Sequence, residues 1–261
     1  MTTVSIFFVA MALVVTAIPG RTQETRGQSI NDRNLYADVI DIAPWGRMGN
    51  DGRPAGVYAS VFKRLSAVSG CALEQRLTPI PRAVNQVIRD AAHATIMLDR
   101  ADLNTSAIEL GEVTRLRIEV WLPKGSKLRT LDDLAGKKVG VLRGPMYHEA
   151  FDRDTRILKY PVTSPLNQLE MLGKGRLDAA IGVHENFLAA ISEMHVGVDA
   201  FAPPIVLEPR IVKLWVAPSM RSHSCTPRLA KALADMRRSG EMDRLVAEAI
   251  PANTGYAKPA R

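Results

Sequence analysis

The sequence predicts an α/β fold in two lobes, each built on a mainly parallel sheet, with a two-strand hinge between them. Three observations carry this. Short apolar runs alternate with stretches of helical periodicity along most of the chain. The turn Pro123-Lys124-Gly125-Ser126 divides that alternation into two series. After the second series, a strand-like run and a helical segment read as a return to the first lobe.

The elements follow in order. Val39–Ala43 is an apolar strand. Val57–Ser69 has Val57, Val61, Leu65 and Val68 on one helical face. Ala72–Leu77 is a second strand, Pro81–Asp90 a helix opened by proline, Ala94–Leu98 a third strand, and Ile118–Leu122 a strand ended by Pro123. Beyond the Pro-Lys-Gly-Ser turn, Leu131–Leu134 is a short helical turn and Val139–Leu142 an apolar strand. Arg143-Gly144-Pro145 then places a glycine and a proline where a helix is expected to begin. Leu166–Lys174 reads as helix, Ala179–Ile181 as strand and Phe187–Met194 as helix. Ile211–Ala217 is a strand leaving a proline-rich stretch, Pro203-Pro204 and Pro209. Pro227–Ala249 is one helix or two, with Leu229, Leu233, Met236, Met242, Leu245 and Val246 at helical spacing. The predicted division is lobe 1 over residues 35–122 and 212–250, lobe 2 over 123–211, and a polar tail over 251–261. The two crossings are expected near Trp121 and near Val212.

The 261 residues are 46% hydrophobic and 23% charged, enough to bury a substantial core and unlike a disordered chain. Aromatic content of 5% argues against an aromatic-rich sugar groove. The net charge of +7 favours anionic partners in general, but lysines and arginines are scattered and form no nucleic-acid stripe. Residues 1–20 are apolar from Val4 to Ile18 and are followed at once by polar sequence, which reads as a signal peptide and a periplasmic location. This leader lacks an early lysine or arginine, so an uncleaved anchor is the alternative. The two cysteines, Cys71 and Cys225, are a disulfide candidate in an oxidising compartment; the alternative is two separate thiols. No Cys-x-x-Cys or histidine cluster suggests a metal, no glycine-rich loop suggests a nucleotide, and no cofactor is expected.

The segment Leu131–Ala150, LDDLAGKKVGVLRGPMYHEA, resembles the opening of the second lobe in bacterial periplasmic solute-binding proteins of the amino-acid-binding type. Ile42-Ala43-Pro44-Trp45 with Gly52–Tyr58 is similar to that family's first strand and following loop, and Gly173–Ile181 to its glycine-rich turn before a second-lobe strand. The resemblance spans Leu35 to Ile250 and implies a type 2 periplasmic binding fold whose cleft closes on a ligand. It also implies a membrane partner, either a transporter of the ABC type or a sensor, and a monomer.

Candidate ligand-binding residues combine both lines of reasoning. Trp45 follows the first strand, where the family places a cleft-lining side chain. Arg82 sits at a helix start, an unusual place for a cation. Arg100 follows the strand Ala94–Leu98 and lies six residues before the position, Ser106, that matches the family's carboxylate-binding arginine. Arg143, Gly144, Met146 and Tyr147 face the cleft from the second lobe, with backbone N–H groups at the expected helix start offered to an anion. His184 follows the strand Ala179–Ile181. The chain departs from the amino-acid binders at two points. Pro145 and Met146 replace a hydroxyl residue, and Val183 replaces the acid that holds an ammonium group. Asp178 reads as structural. The expected function is an exported binding protein for a small, polar, anionic molecule, with no catalytic residues. Alternatives are a dehydratase-like enzyme on the same fold, with His184 or Glu185 as its acid or base, and an accessory of a periplasmic dehydrogenase.

Overall fold

The computed structural model describes residues 35–248. The expected leader and the tail from residue 251 lie outside them. The first lobe opens with β1 (Leu35–Ile40) and a small hairpin of β2 (Arg47–Met48) and β3 (Pro54–Ala55). It continues through α1 (Val57–Ser69), β4 (Leu73–Thr78), α2 (Ile80–Ile88), β5 (Ala94–Leu98), α3 (Ala101–Ser106) and β6 (Ile108–Leu116). The second lobe contains β7 (Ile118–Pro123), β8 (Lys138–Leu142), α4 (Glu149–Arg153), β9 (Leu158–Val162), α5 (Pro165–Gly173), β10 (Ala179–Val183), α6 (His184–Met194) and β11 (Phe201–Val206). The chain returns through β12 (Arg210–Val216), α7 (Cys225–Arg238) and α8 (Glu241–Glu248).

Each lobe has a five-stranded sheet, β4-β1-β5-β12-β6 in the first and β11-β7-β10-β8-β9 in the second. Strands β4, β1 and β5 run parallel, as do β10, β8 and β9. The crossover strands β7 and β12 are antiparallel to their neighbours. Both sheets bury one or both faces under helices, which is the α/β layout expected from the alternating pattern.

The helices form where an apolar stripe has a sheet to cover. In α1, Val57, Tyr58, Val61, Phe62 and Leu65 are buried, and Gly70 ends the helix in the left-handed region at φ 67°. In α5, Ser164 caps the first turn by accepting from the Asn167 N–H, and Pro165 takes a position that needs no donor. Leu229, Leu233 and Met236 bury one face of α7 against the first lobe. In the second lobe Trp121 packs on Phe187 and Phe201. Gly182 lets the Phe187 ring approach β10, since a Cβ there would lie 2.8 Å from Cζ.

The structure moves several expected boundaries. The crossings lie at Arg117, between β6 and β7, and between Val206 and Arg210, rather than near Trp121 and Val212. The whole of β7 therefore belongs to the second sheet, and Arg210–Ile211 to the first. The first strand covers Leu35–Ile40, not Val39–Ala43, because the charged Asp38 within it is buried and paired with Arg76 at 3.1 Å. Strands β6, β9 and β11 had no sequence signal strong enough to read. β9 is an edge strand with four of five residues exposed, so it lacks alternation. β11 contains Pro203-Pro204, which reads as loop. It tolerates them because it is an edge strand paired with β7 alone, with a register shift between Ala202 and Ile205.

Cys71, just after α1, and Cys225, at the start of α7, form a disulfide with Cα atoms 5.9 Å apart. The bridge ties the returning segment to the first lobe and closes a sequence separation of 154 residues. Replacing both cysteines by serine should lower unfolding stability by about 5 kcal/mol in the chain-entropy model. Urea unfolding of the oxidised protein and the double variant measures this, and equal midpoints would contradict it.

Candidate functional site

The cleft is built where strand C-termini of the two lobes face each other. From the first lobe come the turn after β1, the start of α2 and the end of β5. From the second come the turn after β8 and the β10–α6 junction. The turn after β1 depends on Gly46, where a Cβ would lie 2.2 Å from the Ile40 carbonyl oxygen. That turn carries Trp45 inward, where it is 2% exposed and stacked on Tyr58 with ring centroids 5.2 Å apart.

Hydrogen bonds then join the lobes across the cleft. The Trp45 indole N–H donates to Asn186 Oδ1 at 3.0 Å, and Asn186 Nδ2 donates to the Ala43 carbonyl at 2.9 Å. Arg100 Nη1 donates to the Gly144 carbonyl at 2.8 Å. The approach at Gly144 is tight. Its φ is 104°, and a Cβ would lie 2.9 Å from Ile80 Cγ2 and 3.1 Å from Pro81 Cδ of the opposite lobe. Behind these contacts lies a cavity of about 40 Å³ walled by Ile40, Ile42, Trp45, Tyr58, Met97, Leu98 and Leu116 from the first lobe. Leu142, Pro145, Met146, Tyr147 and Val183 close it from the second. Its polar side chains are Arg100, Gln168 and Asn186, besides the two tyrosines and Trp45. Space of that size holds about three waters. Outside the latch, a groove of about 650 Å³ runs past Asp41, Pro81, Arg143, Thr163, Ser164 and Glu193. The groove and the cavity share Ile42, Ile80, Leu142, Pro165 and Asn186 as walls.

The structure brings together Trp45, Arg100, Met146 and Tyr147, with Gly144 supplying a carbonyl at the edge. It does not bring in the others. Arg82 is exposed on α2, Arg143 lines the outer groove, and His184 lies behind the cavity against Glu119. The expected helix start at Pro145 is absent: α4 begins at Glu149, and residues 145–148 have no regular secondary structure. Pro145 lines the cavity, and Tyr147 is buried, with desolvation pushing its hydroxyl well above the usual tyrosine range. Val183 occupies the cavity wall in place of an acid.

Sequence reasoning missed Asn186, Asp102 and Gln168. The Gln168 amide donates to the Gly140 and Ile181 carbonyls, at 2.8 and 2.9 Å, and braces the two strands that end at the cleft. Asn186 carried a weak signal, being a polar residue in the first turn of a helix that follows a cleft strand. Asp102 lies two residues beyond Arg100, and only the fold of α3 turns the two side chains together.

Arg100 is not free. Its Nε and Nη2 donate to the two carboxylate oxygens of Asp102 at 2.5 and 2.8 Å. The hydrogen bond from Arg100 holds the Asp102 carboxyl below the usual carboxylate range. A second charged cluster sits at the hinge. Glu119 meets Arg117 at 2.9 Å, His184 Nδ1 at 2.7 Å and the Trp121 indole N–H at 2.8 Å. Burial would raise the Glu119 carboxyl, but His184, Trp121 and Arg117 together outweigh it and hold it below the ordinary value. Neighbouring Glu185 is 1% exposed, and its Oε2 has no hydrogen-bond partner. Burial pushes its carboxyl up, against weaker opposing effects from its backbone, His184 and Arg117. Among the described residues no group of His, Cys, Asp and Glu is placed to hold a metal ion, and no helix is long and apolar enough to cross a membrane.

Two consequences are measurable. Asn186→Ala leaves the Trp45 N–H buried without a partner and removes one latch. It should cost about 1–3 kcal/mol and expand the protein in solution scattering. Unchanged stability and radius would remove the latch from the account. Glu185 has a raised folded pKa, so its ionisation costs stability as pH rises from the unfolded carboxylate range through the folded value. Glu185→Gln should therefore raise Tm at pH 8 by about 2–4 °C, the shift that 1 kcal/mol produces in a chain of this size, and by less at pH 4.5. A gain equal at both pH values would show that charge is not the cause.

Comparison with known proteins places the fold. No family model and no curated protein matches the sequence. Solved structures do. A histidine kinase sensor domain with similarity to periplasmic binding proteins superposes with a TM-score of 0.72 at 17% identity, covering 84% of this chain and 97% of that one. An ancestral arginine-binding protein bound to arginine gives 0.68 at 16% identity, covering 84% and 98%. A Salmonella typhimurium periplasmic binding protein with high arginine specificity gives 0.66 at 18% identity, covering 84% and 100%. The chain therefore has the two-lobed fold of type 2 periplasmic binding proteins.

Proposed function

We propose that this chain is an exported, two-lobed binding protein that works in the periplasm, closes over a small molecule, and signals that closure to a membrane transporter or sensor. The observation that carries the reading is the pair of latches, Trp45–Asn186 and Arg100–Gly144, which join the lobes around a cavity at the strand ends. A ligand that touches both walls shifts an open–closed equilibrium by its differential affinity for the closed form. The likeness to solute-binding proteins and to a sensor domain is consistent with either kind of partner.

The expectation of an anionic ligand rested on Arg100 and on a helix start at Pro145. Arg100 is matched by Asp102 within the chain, and the helix start lies elsewhere, so the geometry favours a molecule with a largely apolar body. Catalysis on this fold has little support, because neither His184 nor Glu185 lines the cavity. The accessory reading retains one favourable observation: side chains of the two lobes already occupy most of the cleft centre. An accessory would respond to a protein partner and not to small molecules.

The test is a thermal-shift screen of small neutral and charged molecules, with native mass spectrometry of protein taken from its own cells. A true ligand at 100 times its Kd should stabilise the protein by about 2.7 kcal/mol. No stabilisation across the screen and no retained mass would turn the reading toward the accessory.

A further inference from the structure

We infer that closing the two lobes takes up one proton at Glu185, so that acid holds the cleft shut and rising pH loosens it. The inference concerns the closing motion itself and needs no ligand. It adds a pH dependence to the open–closed equilibrium on which the binding reading rests.

Glu185 stands where a negative charge finds no partner. It is the second residue of α6, is 1% exposed, and its Oε2 meets no donor. The elements around it do not supply one. Arg117 at the crossing and His184 beside it in the chain are both turned to Glu119, at 2.9 and 2.7 Å. Glu119, on β7, is an acid and disfavours a second charge nearby. Tyr58, on α1 of the opposite lobe, is also 1% exposed. Burial first, and the nearby Glu185 charge second, push its hydroxyl up. In the closed form the Glu185 carboxyl is therefore favoured neutral. Burial penalises its charged form more than its own backbone, His184 and Arg117 support it.

Its position ties that proton to the hinge and to the latch. The His184 N–H donates to the Arg117 carbonyl at 2.9 Å, which fixes the start of α6 to the crossing between the lobes. Asn186, the next residue, makes the latch to Trp45, and Trp45 stacks on Tyr58. Drawing Asn186 away from Trp45 therefore also draws Glu185 away from Tyr58. Water then reaches the carboxyl, which ionises and gives its proton to the solvent. The carboxyl holds its proton more tightly in the closed form than in the open one. Its contribution to closure is thus fully present below the open-state pKa and is lost as pH rises through the closed-state pKa. Within that window one proton changes the closed-to-open ratio by up to about tenfold per pH unit. A ligand that needs the closed form inherits the same dependence.

The experiment measures the radius of gyration by solution scattering at pH 4.5 and pH 8.0 on the full-length protein. Four forms are compared: the unaltered chain, Glu185→Gln, Asn186→Ala, and the double variant. Asn186→Ala weakens the latch and so brings the open form into measurable range. Circular dichroism confirms that each form is folded. Asn186→Ser, which keeps a hydroxyl near Trp45, takes the place of the alanine form if that form does not fold. Asn186→Ala should expand between pH 4.5 and pH 8.0, the unaltered chain should expand less, and both forms carrying Glu185→Gln should have the same radius at the two pH values. Equal radii at both pH values in the unaltered and Asn186→Ala forms would overturn the proton coupling. An expansion that survives Glu185→Gln would also overturn it and assign the pH dependence to His184 and Glu119. Either result leaves the ligand question to the thermal-shift screen, which tests it separately.

Discussion

The hydrogen bond from the Trp45 indole to Asn186 governs how the two lobes meet. Trp45 is buried on an apolar face and stacked on Tyr58, so its N–H has no access to water. A buried donor without a partner is expensive, and the partner available comes from the other lobe. Asn186 also returns a bond to Ala43, one turn of chain from Trp45. The cleft is therefore closed by the requirement that one polar atom in an apolar wall be satisfied, and the glycines at 46 and 144 allow the backbones to come near enough for it.

Charge is handled in the same spirit around the cleft. Arg100 is paired with Asp102 at the cleft, and Glu119 with Arg117 and His184 behind it. Glu185 is the exception. It is buried at the hinge with one oxygen unpaired, and burial raises its carboxyl. Such a group makes the junction of α6 with the hinge a local weak point, in the part of the molecule that has to move if the lobes separate.

Much of the fold was legible because its elements announce themselves locally. Val57, Val61 and Leu65 recur at helical spacing, and Ala94–Leu98 and Val139–Leu142 are apolar runs bounded by turn residues. The elements that escaped are those whose stability is not local. β9 is held by β8 rather than by a buried face of its own, and β11 survives two prolines because only one of its edges is paired. Pro145 illustrates the opposite error. A proline after a glycine favours a helix start on local grounds, yet the chain there is drawn across the cleft by Gly144 and Tyr147, and the helix waits until Glu149.

The sequence by itself determined the α/β class, the two-lobed order and a set of residues at the crevice, because periodicity and turn chemistry are written residue by residue. Trp45, Arg100, Met146 and Tyr147 were singled out with the help of the family resemblance, each lying at the end of a legible strand or in the turn that follows one. Only the tertiary structure decided what those residues do. That Arg100 is bound to Asp102 and Gly144, that Trp45 is bound to Asn186, and that Cys71 meets Cys225 are facts about pairs separated by up to 154 residues or set by the turn of one short helix. A sequence states which donors, acceptors and thiols exist. Which of them meet depends on packing, which brings together groups that the chain keeps apart.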